Sequence, residues 1–197
     1  MNSSAKSKYI LPVIFTLIAL STFTYVLIHN SKEKKEEQVE ITDPTSLYIK
    51  IDKSSRTLQL FEGETLVKKY TVALGFAPLG DKEIEGDGKT PEGEFYICMK
   101  NPNSKYHLSL GISYPNKEDA SRGKSQNLIS EQEYSAINQA IESGKKPLWN
   151  TALGGEIFIH GKGASNDWTF GCIALENSDI EELFALIELG ILVQIDA

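Results

Sequence analysis

His160 and Cys172 are the residues of this chain whose types and spacing could do covalent chemistry together. His160 closes an apolar run, Glu156-Ile-Phe-Ile-His160. Cys172 ends a loop rich in glycine and polar residues and leads straight into Ile173-Ala-Leu175. An imidazole beside a thiol can take its proton, and the sulfur can then attack a carbonyl carbon. A free thiol titrates near about 8.5, so an adjacent imidazolium is needed to hold it as thiolate at neutral pH. Among the three histidines, His29 follows a long apolar run, and His107 reads as an exposed or hydrogen-bonded side chain. His160 stands at the end of an apolar strand, where it would be held rigidly for acyl transfer.

The neighbours of the pair suggest further parts. Gly171 lacks a Cβ, so substrate can approach and unusual φ is allowed. The backbone N–H groups of Gly171 and Cys172 are candidates for an oxyanion hole. A third group must orient His160; Asp167 is a candidate, with loop capping as its plainer role. Trp168 either floors the pocket or packs in the core. Tyr106, in a loop rich in Asn, Ser, Pro and Lys, could reach the site. Cys98, in Phe95-Tyr-Ile-Cys-Met99, reads as simple burial. A Cys98–Cys172 disulfide would silence the nucleophile and is not expected. No Cys-x-x-Cys or His-x-x-x-His spacing is present, so no metal site is expected.

The elements that must position these residues are mostly strands. Leu47–Ile51, Thr57–Phe61 and Leu66–Ala73 alternate apolar and polar residues and read as an antiparallel meander. Residues 74–89 hold four glycines without periodicity and read as loop. Thr90-Pro-Glu-Gly93 fits a β-turn leading into a strand over Glu94–Met99. Residues 101–127 read as loop around a short strand, Leu108–Ser113. Ser130-x-x-Glu133 and Ser178-x-x-Glu181 are capping boxes that open two amphipathic helices, closed by Gly144 and Gly190. Leu192–Ile195 is the last strand. The sum is a strand-rich, β-sandwich-like α+β domain with two main helices.

The chain has 197 residues and a net charge of -7. Lys and acidic residues balance over the first 43 residues, so the negative excess lies in 44–197. That argues against a nucleic-acid binder, which needs a basic face. After a short tail, residues 1–8, Tyr9–Ile28 carries no charge. At about 1.5 Å per residue it is long enough for a helix to cross a bilayer of about 30 Å. No Ala-x-Ala-like site follows, so an uncleaved transmembrane signal anchor is expected. Residues 29–46 form a charged linker with too little apolar content to pack. The catalytic domain then spans 47–197.

Three ordered segments carry a resemblance. The first is His160-Gly161 with Asp167-Trp-Thr-Phe-Gly-Cys-Ile-Ala-Leu175, the second Gly86-Asp-Gly-Lys-Thr-Pro-Glu-Gly-Glu-Phe95, the third Asn101–Tyr106 with Ser113–Asn116. Together they resemble the L,D-transpeptidase (YkuD-type) catalytic domain, in a murein-active branch with an Asp-Trp-Thr-x-Gly-Cys motif. The resemblance implies a cysteine nucleophile at Cys172 with His160 as general base and acid. Gly161 joins Trp168 and Tyr106 as candidate substrate contacts, and Thr169 matches a Ser/Thr position that lines or orients the site. It also implies a peptidoglycan stem peptide as acyl donor, cleaved on the carboxyl side of its L-centred diamino acid, and a domain outside the cytoplasm.

The common family pattern places His or Arg just before Gly-Cys and Arg two residues after Cys. Here Phe170 and Ala174 stand at those positions. Hydrolysis, as an L,D-carboxypeptidase or amidase, therefore stays open beside transpeptidation. A reading from another class is a non-catalytic, membrane-tethered wall-binding module in which Cys172 is an inert thiol. A papain-like protease is disfavoured, because its nucleophile precedes its histidine.

Overall fold

The computed structural model describes residues 41–197. The apolar run at 9–28 and the linker up to residue 40 lie outside the described residues. Among the described residues no helix is long and apolar enough to cross a membrane. The last part of the linker is not the free tether its composition suggested. Glu62 accepts the Thr42 backbone N–H at 2.8 Å and the Asp43 N–H, Ile41 packs on the core, and Asp43 caps a 3-10 turn at Pro44–Ser46.

β1 (Leu47–Asp52), β2 (Thr57–Glu62) and β3 (Thr65–Thr71) form the antiparallel meander their alternation predicts. Leu47, Ile49, Ile51, Leu58 and Leu60 fill its inner face. β4 (Gly93–Ser104) and β5 (His107–Ile112) form a hairpin, followed by β6 (Phe158–His160), β7 (Ile173–Ala174) and β8 (Leu192–Asp196). β8 inserts between β1, to which it is parallel, and β4, to which it is antiparallel. The strand order is β3-β2-β1-β8-β4-β5-β6-β7. Instead of two stacked sheets, one sheet curls until its ends meet. Ala73, just past β3, and Ala174 in β7 exchange backbone hydrogen bonds of 2.9 and 2.8 Å.

Among the described residues there are three helices, where the domain was expected to have two main ones. α1 (Lys117–Ser125) has no apolar stripe to betray it; only Asp119, Ala120 and Gly123 are buried. Its signal was Asn116, whose side chain forms a capping box with Asp119. α2 (Glu131–Glu142) starts at the Ser130–Glu133 capping box as predicted, and with α1 it encloses a small core of Ala120, Ile129, Ile137 and Leu153. α3 (Asn177–Leu186) corrects the second box: its N-cap is Glu176, with no side-chain cap, and the Ser178 hydroxyl lies 3.3 Å from Asp179 instead. Ile180 and Leu183 nonetheless bury into the main core, each contributing on the order of 1.5–3 kcal/mol.

Two other expectations change. Thr90–Glu92 is irregular chain leading into β4 at Gly93, not a turn. Thr90 is buried and its hydroxyl accepts the Gly75 N–H at 3.0 Å. β4 runs through Asn101–Ser104, which composition marked as loop. It is interrupted by a bulge between Ile97 and Met99, where Cys98 is the extra residue. Cys98 is therefore half-buried rather than buried. The bulge reverses which side chains point inward. Before it, Phe95 and Ile97 face the core; beyond it, Met99 and Asn101 line an open cleft.

Candidate active site

The site grows from the register of three short strands. Ile159 pairs with Ile173 and with Leu110, and all three are fully buried against the core. Side chains alternate along a strand, so His160 must face the other way, with its partners Ser109 and Ala174. Continuing the β6–β7 register one step back sets Cys172 opposite Phe158, on that same outward face. His160 and Cys172 are thus diagonal neighbours on adjacent parallel strands, on the order of 8 Å apart at the backbone. Both line one cleft of about 620 Å³, together with Lys105, Tyr106, Lys146, Trp149, Glu156 and Phe158.

His160 is held by three neighbours. Its Nδ1 lies 2.7 Å from the Gly161 carbonyl. A carbonyl only accepts, so Nδ1 carries the proton and Nε2 is left as the basic nitrogen. Tyr106 stacks on the ring at 4.5 Å between centroids, and Trp168 packs edge-on at 5.7 Å. The indole N–H of Trp168 donates to the Gly163 carbonyl at 3.2 Å. Trp168 backs the imidazole and is not part of the cleft lining. Gly161 is held against the hairpin, its N–H donating to the Tyr106 carbonyl at 3.1 Å. A Cβ there would meet Asn177 Oδ1 at 2.6 Å.

Cys172 is braced by Thr169. The Thr169 hydroxyl donates to the Cys172 carbonyl at 2.7 Å and accepts the Gly171 N–H at 3.2 Å. That N–H is therefore spent on the turn, which leaves the Cys172 N–H as the candidate oxyanion donor of the two. Gly171 matters for another reason: its φ is +125°, and a Cβ would lie 2.6 Å from the Lys89 carbonyl oxygen. Asp167 anchors the loop. Its carboxylate takes Arg56 Nη2 at 2.7 Å and Nε at 3.1 Å, and accepts the Leu74 N–H at 2.8 Å. The group that orients the imidazole is the Gly161 carbonyl. Asp167 is committed elsewhere, and Thr169 acts on the cysteine turn.

Electrostatics weigh on whether the pair rests ionised. Burial pushes the Cys172 thiol above its ordinary range, although the Phe158 backbone N–H and the Lys82 ammonium pull the other way. Burial also lowers His160 below its ordinary value, against the Gly161 carbonyl, which favours the imidazolium. Both shifts favour the neutral forms. The geometry suits a base that takes the proton during attack, not a preformed thiolate. The sulfhydryl points to the Glu156 carbonyl at 3.5 Å and is half-buried, so the cleft reaches it.

Sequence reasoning missed Lys105, Lys146, Trp149 and Phe158 in the lining. Phe158 was legible as a strand residue two before His160. Lys146 and Trp149 sit in irregular chain after α2, and nothing local ties that segment to the site. Phe170 is 76% exposed and packs edge-on against Phe76, while Ala174 is fully buried in β7. No charge stands at either position.

The YkuD family, described as the L,D-transpeptidase catalytic domain, matches residues 46–195. YafK of Escherichia coli (strain K12) is 29% identical over 164 residues, covering 80% of this chain and 52% of that protein. The helical cell shape determining protein Pgp2 from Campylobacter jejuni is 26% identical, with a TM-score of 0.53, covering 77% of this chain and 47% of that chain. A point mutant of Pgp2 matches at 25% identity and a TM-score of 0.54. This chain thus spans about half the length of the relatives it matches.

Proposed function

The chain belongs to the YkuD-type L,D-transpeptidase catalytic domain family, and from that membership we propose that it acts on peptidoglycan stem peptides by acyl transfer through Cys172. The observation that carries this reading is the diagonal placement of His160 and Cys172 on one face of β6–β7, open to one cleft.

His160 Nε2 takes the thiol proton as sulfur attacks the carbonyl of the L-centred diamino acid. The Cys172 N–H faces the developing oxyanion. Collapse breaks the peptide bond, the imidazolium returns its proton to the leaving amine, and a thioester remains on Cys172. An amine or water then attacks the thioester with His160 again as base, releasing the acyl group and regenerating the thiol. The thioester supplies the covalent step, so no cofactor is invoked. The domain would work outside the cytoplasm, where peptidoglycan lies, tethered by the apolar run at residues 9–28.

An amine acceptor gives a cross-link, the L,D-transpeptidase outcome. Water gives hydrolysis, and one observation favours keeping it: Phe170 and Ala174 leave no cation where the common pattern has two. The test is mass spectrometry of products formed from defined tetrapeptide muropeptides, with and without an added amine acceptor. The wild-type chain should release the terminal residue and Cys172→Ser should not, with an unchanged circular dichroism spectrum. Turnover by Cys172→Ser would overturn the nucleophile assignment. Binding without any acyl-enzyme in the wild type would leave only a wall-binding module.

A further inference from the structure

The cleft carries two ammonium groups in matching settings. Lys105 lies in the turn between β4 and β5, with Nζ 5.0 Å from the centre of the Tyr106 ring. Lys146 follows α2, with Nζ 4.3 Å from the centre of the Trp149 ring. Each aromatic ring leans in turn on a residue of the catalytic strand: Tyr106 on His160, and Trp149 on Phe158 at 5.4 Å. The two lysines therefore flank the nucleophile from the two ends of β6. Both line the cleft, and among the described residues neither forms an ion pair with a carboxylate. Most other lysines of the domain do form one, including Lys50, Lys53, Lys82, Lys89, Lys100, Lys117 and Lys124.

Charge sharpens the contrast. The chain has a net charge of -7, yet the cleft lining holds Lys105 and Lys146 against Glu156 alone. A cation seated on an aromatic face keeps its direction and remains free to bind an anion. Two such cations and one carboxylate complement a ligand with two carboxylates and one ammonium.

We propose that Lys105 and Lys146 are specificity-determining residues that each hold one carboxylate of the acyl donor, replacing the cations missing at Phe170 and Ala174. The donor is then a peptide with a free carboxylate on each side of the scissile carbonyl and a free amine near Glu156. This rests on the stem-peptide reading above and deepens it. It does not depend on whether water or an amine is the acceptor.

The test measures binding, so it is separate from turnover. The full chain carrying Cys172→Ala is titrated calorimetrically with a stem tetrapeptide, and with the same peptide amidated at its carboxylates. Lys105→Ala and Lys146→Ala should each raise Kd roughly threefold to tenfold on the free acid, between the effect of an exposed ion pair and that of a charge-assisted hydrogen bond. Neither should change Kd on the amidated peptide, and each should flatten the salt dependence. Lys50→Ala, on β1 and outside the cleft lining, is the control. Equal Kd for acid and amide, or Lys variants that match the control, would overturn the carboxylate anchors. A parent that binds neither peptide would instead overturn the stem-peptide reading, and the anchors with it.

Discussion

The Tyr106 ring lies against the His160 imidazole with centroids 4.5 Å apart and planes 23° apart. Tyr106 comes from the β4–β5 turn and His160 from the end of β6, so the stack fixes a hairpin tip to the proposed base. Replacing Tyr106 by Phe keeps the ring and should leave kcat within about threefold. Tyr106→Ala frees the imidazole and should lower kcat about tenfold to a hundredfold, because misplacing a reacting group is costly. Steady-state kinetics of the two variants on a tetrapeptide substrate distinguish a stack from a hydroxyl contact.

Alkylation and acylation of Cys172 should separate. Burial disfavours the charged form of each partner, which moves the thiol up and the imidazole down. Iodoacetamide reads thiolate, so alkylation should be slow at pH 7 and accelerate as pH rises beyond the ordinary thiol range. A carbapenem, whose strained carbonyl is attacked as His160 takes the proton, should acylate at pH 7. His160→Ala should slow acylation at least about a hundredfold and barely change alkylation. Intact mass after each treatment reads both. Fast alkylation at pH 6.5 would refute the neutral pair.

Gly171→Ala should cost both stability and activity. A Cβ at φ +125° would lie 2.6 Å from the Lys89 oxygen, so the Cys172 turn must shift. A loss of about 1–3 kcal/mol is expected from the strained backbone alone. Carbapenem acylation should fall further than the melting temperature implies, because the sulfur moves with the turn.

Thr169→Val removes a hydroxyl that serves both Gly171 and Cys172 without changing the side chain's shape. The Gly171 N–H is then left unpaired in a buried turn, at about 1–3 kcal/mol. Thr169→Ser should restore most of the loss. Thermal melts and kcat measured on the pair show whether the hydroxyl, and not the methyl, is what the site uses.

Asp87 and Lys82 form a buried ion pair at 2.8 Å, in the glycine-rich segment that precedes β4. Burial raises the Asp87 carboxyl, but the Lys82 ammonium and the N–H groups of Glu83, Lys89 and Ile84 hold it below its ordinary value. Its stabilisation is therefore complete above the ordinary carboxylate range and lost as pH falls below it. Asp87→Ala leaves the Lys82 ammonium buried without its partner. The cost should be about 3–5 kcal/mol, or roughly 10 °C in Tm at pH 7. Melts at pH 7 and pH 3 should differ less for the variant than for the wild type.

Where periodicity was strong, the chain was legible. The alternation of Leu47–Ile51 and Thr57–Phe61 specified the meander, and Ser130 with Glu133 specified the start of α2. α1 was hidden because Lys117–Ser125 buries only small and polar residues, so no apolar stripe marks it. The strand through Asn101–Ser104 was hidden because polar and proline residues can occupy a hairpin edge that faces a cleft. The Ser178 box misled, since a capping pattern that begins at the second residue of a helix looks the same in sequence as one at its start.

By itself the sequence determined which atoms could react: one thiol, one histidine at a strand end, and a glycine between them. Only the tertiary structure decided what surrounds them. The β6–β7 register put the two side chains on one face. The Gly161 carbonyl, rather than a carboxylate, took Nδ1, and burial disfavours the charged form of each partner. Lysines 105 and 146 reached the cleft from segments far apart in the chain. Strand alternation is a local property and can be read along the chain. Which strands become neighbours, and which distant loops close over them, depends on how the whole sheet curls to bury its core.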